Sequence, residues 1–146
     1  PDLGLLFVCR PTPARKINEV LFRERGYKNI HFAFLSMEER DYAFTHAAVY
    51  VTPSLSEGFG LTGLEAMGFG APVVSSNATC LPEVYADGAL YVDPLSVDDI
   101  ADKIDAVLTD KKLRSDLIQR GKKRSEFFSW EKMAKETHEV YMRALR

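Results

Sequence analysis

Two carboxylates, Glu57 and Glu65, are separated by seven residues, and the stretch between them, Gly58-Phe59-Gly60-Leu61-Thr62-Gly63-Leu64, holds three glycines. Gly58 and Gly60 permit positive φ and let a ligand come close to the backbone. A helix that starts just after them leaves its first amide groups without intrahelical acceptors, and those N–H groups point into the same space. A phosphate suits such a turn. The gain is typically about 0.3 to 1 kcal/mol, rising to about 2, whereas even a roughly millimolar ligand needs about 4. The loop therefore orients a diphosphate and needs help to hold it. Glu57, placed directly before this turn, would repel phosphate unless it served another part of the ligand. Glu65 has a second reading, because Thr62-Gly63-Leu64-Glu65 also has the form of a capping box that would close its own helix.

Gly58, Gly60 and Gly63 spell G-x-G-x-x-G, which by itself also fits a dinucleotide-binding oxidoreductase. The placement speaks against that alternative. The motif follows the third expected strand rather than the first, its helix is about two turns long, and Ser75-Ser76-Asn77 stands where an acidic residue should end the next strand. A third alternative is a non-catalytic α/β module that keeps the motif only as fold architecture.

The elements that must position this loop alternate. Leu3 to Cys9 is a nearly all-apolar run, as expected of a parallel strand covered on both faces. Thr12-Pro13 opens a helix with the stripe Ile17, Val20 and Leu21, and Gly26 stops it. A strand over Asn29 to Phe34 precedes a helix opened by the capping box Ser36 to Glu39. Ala47 to Val51 is the third strand, ended by Thr52-Pro53-Ser54. After the loop come a helix from Thr62 to Phe69, a strand at Val73 to Ser75, a brief helical turn opened by Pro82 and a strand at Leu90 to Val92. Ser96 caps a helix carrying Val97, Ile100, Ala101, Ile104, Val107 and Leu108. Two further helices carry Leu113, Leu117 and Ile118, and then, from the cap Ser129, Trp130, Met133, Val140 and Tyr141. This alternation predicts an α/β fold: an open, parallel, Rossmann-like sheet of about five strands with helices on both faces. Ligands of such sheets bind beyond the carboxyl ends of the strands, where the glycine loop falls.

With 146 residues, one domain with a substantial core is expected. The 46% hydrophobic and 27% charged composition and net charge of -2 give no electrostatic reason for a nucleic-acid partner. Cys9 and Cys80 share no close spacing with each other or with His31, His46 and His138, so they read as reduced, buried thiols and no metal is expected. The histidines read as structural or exposed. Arg15, Lys111, Lys112, Lys122, Lys123 and Arg124 read as solvated helix faces, and Leu61, Leu64 and Met67 as core. No apolar run is long enough to span a bilayer and no leader precedes Pro1, so the chain reads as cytoplasmic and as a piece of a longer protein.

Glu57-Gly58-Phe59-Gly60-Leu61, Glu65-Ala66-Met67, Gly70-Ala71-Pro72-Val73-Val74 and Leu81-Pro82-Glu83-Val84 together resemble the E-x7-E region of family 4 retaining glycosyltransferases of GT-B architecture. The resemblance runs from Pro1-Asp2-Leu3 through Asp93-Pro94 to Phe128-Ser129-Trp130, and it is to the C-terminal, donor-binding domain of the two. It implies that Glu57 acts at the reacting end of a nucleotide-diphosphate sugar and that Glu65 accepts hydrogen bonds from the ribose. It further implies that the backbone of Gly58, Phe59, Gly60, Leu61 and Thr62 meets sugar and diphosphate, with no covalent cofactor. The partner is then an N-terminal acceptor domain, without which the chain is expected to be inactive.

The chain also departs from that family. The Gly-Arg pair and lysine that neutralise the diphosphate in the family's first βα unit are not evident, and Leu3 to Asn29 matches the second unit instead. Five strands could close as 2-1-3-4-5, which would bring Arg10 and Lys16 beside the glycine loop as substitutes and Leu35 to the donor side. Cys9 and Phe34 stand where glycine is usual, Gly68 where alanine is usual, and Cys80 where a small residue is common; Phe34 bears most on how a base is recognised.

Overall fold

In the computed structural model, which describes residues 3–146, the apolar runs form five short strands linked by helices. The chain divides into two compact units, Pro1–Tyr42 and Ala43–Arg146.

In the first unit, β1 (Leu5–Val8) pairs in parallel with β2 (Ile30–Ala33), Leu5 opposite Ile30 and Val8 opposite Ala33. Between them runs α1 (Pro13–Glu24), with proline at its start and Thr12 as cap, its hydroxyl accepting the Arg15 amide at 3.2 Å. Phe7 stacks on Phe32 with ring centres 4.8 Å apart and on Phe22 at 5.9 Å. Arg15 donates to Glu19 and to the Phe32 carbonyl, both at 2.7 Å, so it ties α1 to β2 and is not the solvated residue expected. The next helix, α2 (Met37–His46), opens on a capping box made in both directions: Ser36 N–H donates to Glu39 at 2.8 Å, and Glu39 N–H donates to the Ser36 hydroxyl at 3.2 Å. Those bonds hold the Glu39 carboxyl below its ordinary pKa.

The second unit is built on β3 (Tyr50–Thr52), β4 (Val73–Ser76) and β5 (Ala89–Val92), paired in parallel in that order. Around them are α3 (Leu61–Gly68), α4 (Leu81–Tyr85), α5 (Val97–Thr109), α6 (Lys111–Ser125) and α7 (Trp130–Ala144). All four residues of β4 are buried. Val73 packs on one side with Leu64, Met67, Leu81 and Tyr85, and Val74 on the other with Val92, Val107 and Leu117. Helices therefore cover both faces of this sheet, as a buried parallel strand requires. Ser75 and Ser76 are buried as well, and their hydroxyls are used, by the Ser76 carbonyl and the Ala78 amide. Ser96, Asp110 and Ser129 cap α5, α6 and α7.

All five expected strands are present, and within each unit they are parallel. They hydrogen-bond as a β1-β2 ladder and a β3-β4-β5 ladder rather than as one continuous 2-1-3-4-5 sheet. Hydrophobic patterning tells which segments want cover, whereas strand order depends on which edges find partners, a property that no local run of residues encodes. Among the described residues, no helix is long and apolar enough to cross a membrane.

Candidate functional site

The loop after β3 is organised from below by tyrosines. Gly60 has φ of 89° and serves as the N-terminal cap of α3. A methyl on Gly60 would collide with Leu81 and the Tyr85 hydroxyl, and one on Gly63 would overlap the Tyr85 phenol. Tyr85, only 1% exposed, donates its hydroxyl to the Gly60 carbonyl at 2.7 Å. Gly60 is thus fixed by both backbone conformation and contact, while Gly63 is glycine because a ring lies against the helix. Gly58 could adopt positive φ as readily as Gly60. It has no such conformation, and a side chain there would meet open space.

Four further contacts shape the turn. The Thr79 hydroxyl accepts the Glu57 amide at 3.2 Å, and the Cys80 thiol donates to the Glu57 carbonyl at 3.2 Å. Phe59 sets the edge of its ring against Phe128, 5.6 Å between centres. Tyr50 donates its hydroxyl to Thr62 at 3.0 Å, at the first turn of α3. No acceptor among the described residues takes the amide hydrogens of Phe59, Gly60, Leu61 or Thr62. These donors stay open at the positive end of a helix, the arrangement that favours an anion.

Burial pushes the Tyr50 phenol above its ordinary pKa, and the negative charges of Glu57 and Glu65 add smaller contributions to that shift. Burial also raises the Tyr85 phenol, with Tyr50 and Glu57 contributing. Glu57 is exposed and Glu65 half-buried. Gly60 is the cap of α3 and Thr62 already lies inside the helix, so Thr62 does not open it as the alternative reading of Thr62 to Glu65 required.

Arg10, Lys16 and Leu35 belong to the first unit: Arg10 follows β1, Lys16 lies on α1 and Leu35 follows β2. Arg10 and Lys16 are exposed and Leu35 is half-buried. Cys9 and Cys80 are both free thiols, half-exposed rather than buried, and Cys80 is engaged by the loop. His31, His46 and His138 are exposed. Leu64 and Met67 are core, whereas Leu61 is 49% exposed at the loop. Arg124 is not a solvated residue: it donates to the Glu83 and Val84 carbonyls, each at 2.8 Å, and lies over Phe127 and Phe128. Among the described residues no group of three or more potential ligands gathers to hold a metal ion.

Residues that sequence reasoning overlooked, Tyr50, Thr79, Cys80 and Tyr85, all act on the loop from other segments. A weak signal for Tyr85 existed in the pair Gly60 and Gly63, since two small residues three apart on a helix leave room for a neighbour's ring.

Parallel sheets flanked by helices, with a glycine turn and open amides beyond the end of β3, define a Rossmann-like α/β domain. Residues 10–124 match the family described as glycosyl transferases group 1, and the chain belongs to that family. It is 40% identical over 121 residues to the O-antigen chain mannosyltransferase B of Escherichia coli, covering 81% of this chain and 32% of that protein. Sucrose-phosphate synthase of Thermosynechococcus elongatus superposes with a TM-score of 0.87 at 27% identity, over 97% of this chain and 38% of that one. The C-terminal domain of a group 1 glycosyl transferase of Francisella tularensis superposes with a TM-score of 0.74 at 29% identity, over 87% of this chain and 70% of that one. The chain spans about a third of the length of the curated relatives it matches. Family membership sets aside the dinucleotide oxidoreductase reading.

Proposed function

We propose that this chain is the donor-binding domain of a family 4, retaining glycosyltransferase, and that it holds a nucleotide-diphosphate sugar at the loop Glu57–Glu65. The observation that carries this reading is the row of open amides from Phe59 to Thr62 at the Gly60-capped start of α3, with Glu57 and Glu65 flanking them in the chain. The amides and the α3 terminus take the diphosphate and stabilise the charge that grows on its bridging oxygen as the sugar departs. Glu65 accepts from the ribose hydroxyls, and Glu57 binds sugar hydroxyls next to the reacting carbon. The relative from Escherichia coli is named a mannosyltransferase, which favours a hexose as the transferred group. An N-terminal GT-B domain supplies the acceptor site, so the isolated chain binds donor and does not turn over. Neither a metal ion nor a covalent cofactor has a role in this reading. The domain works on the cytoplasmic side, where a lipid acceptor at the membrane surface is compatible with it.

Calorimetry with UDP-, GDP- and ADP-sugars and with NAD tests the reading. Saturable heat is expected with one sugar nucleotide and is lost in Glu65→Ala. An equal response to NAD, or silence with every sugar nucleotide, would count against it.

A further inference from the structure

Glu57 is gripped on both sides of its α-carbon by two consecutive residues from a distant segment. Its amide hydrogen goes to the Thr79 hydroxyl and its carbonyl receives the Cys80 thiol, each at 3.2 Å. The backbone has two soft dihedrals per residue. Fixing the peptide plane before an α-carbon and the plane after it fixes both, and with them the direction in which the side chain leaves.

The segment that does this is itself held and bent. Asn77 N–H donates to the Val92 carbonyl at 2.9 Å, and Ala78 N–H to the Ser76 hydroxyl at 3.0 Å, anchoring it to the end of the sheet. Thr79 then adopts φ of 53°, a genuine outlier for a β-branched residue. Such strain persists only where the surroundings impose it, and it clusters at functional sites. Cys80 occupies the N-terminal cap position of α4, yet its side chain makes no cap bond there. The thiol is given instead to Glu57.

We propose that Thr79 and Cys80 are positioning residues that aim the Glu57 carboxylate at the donor sugar. This rests on the reading of the loop as a sugar-nucleotide site and adds to it a specificity role for two residues that touch no ligand. Because they act through Glu57, they set recognition of the sugar and leave recognition of the nucleoside diphosphate alone.

The test uses the full chain and compares, by calorimetry, affinity for the sugar nucleotide that binds with affinity for the matching nucleoside diphosphate. Thr79→Val and Cys80→Ala are each expected to lower the ratio of the two by about two- to tenfold, the effect of one lost hydrogen bond, with Thr79→Ser and Cys80→Ser restoring it. In the ligand-free chain, the Glu57 amide should exchange its hydrogen faster in Thr79→Val and not in Thr79→Ser. Equal losses for both ligands, or a ratio that falls in Glu57→Ala but not in the Thr79 and Cys80 variants, would overturn the positioning role while leaving the donor site in place. If the unmodified chain binds neither ligand, the donor-site reading itself falls; unchanged Glu57 exchange in Thr79→Val defeats the positioning role whatever binds.

Discussion

Leu5 to Val8 and Val73 to Ser76 are both four-residue parallel strands, and by composition the first is the more hydrophobic. Yet the residues of β1 are 37 to 53% exposed, while those of β4 are fully buried. Apolar character states what a strand would gain from cover. Whether cover arrives depends on helices elsewhere in the chain: β4 has α3 and α4 residues on one face and α5 and α6 residues on the other. The first unit relies on the stack of Phe7, Phe22 and Phe32, and the second on two closed clusters. The loop that carries the proposed chemistry is mounted on the second.

The sharpest way to break this contrast is to remove matter from, or add it to, each unit. Met67→Ala deletes a side chain that is 0% exposed and should cost about 2 to 5 kcal/mol in urea unfolding. Gly63→Ala pushes a methyl into the Tyr85 ring and should cost about 1 to 3 kcal/mol, as overpacking does. Leu6→Ala, at 43% exposure in β1, should cost about 0.5 kcal/mol or less. A loss in Leu6→Ala as large as that in Met67→Ala would mean that β1 is covered after all.

A smaller effect sharpens the same contrast through pH. Tyr50, Tyr85 and Tyr91 belong to the second unit, and burial raises all three phenols, Tyr91 to about 12. A phenol whose folded pKa lies above its unfolded value near 10 keeps its proton in the folded state after the unfolded chain has lost it. The unfolded state then binds fewer protons, so stability is complete below about pH 10 and declines as pH rises toward 12. Thermal unfolding between pH 8 and 11 should show that decline, and Tyr91→Phe should flatten it. A flat profile in the unmodified chain would mean that these rings are open to solvent.

How much of this was readable in the residues varies with distance along the chain. Local signals were clear: the caps Thr12, Ser36 with Glu39, Ser96 and Ser129 all form as their residue types suggest. The positive φ of Gly60 was equally legible, since an L side chain is penalised there. The carboxylate pair was marked as a candidate by its spacing and neighbours. The supports of the loop were not, because Thr79, Cys80 and Tyr85 reach it from 22 to 25 residues away and nothing in their own neighbourhood announces a partner. Arg124 shows the same limit, read as a surface charge and found bonded to carbonyls 40 and 41 residues away. Thr62 is not the cap of its helix for a related reason: a left-handed Gly60, bonded by Tyr85, caps it two residues earlier.

The central claim is that the open amides of Phe59, Gly60, Leu61 and Thr62 receive the diphosphate of an activated sugar. Amide chemical shifts of the isotope-labelled chain, followed through a titration with UDP-, GDP- and ADP-sugars, test it most directly. With one of these donors the largest, saturable changes are expected at those four amides, and they should vanish in Glu65→Ala. Changes confined to Cys9 through Lys16, or none with any donor, would contradict it.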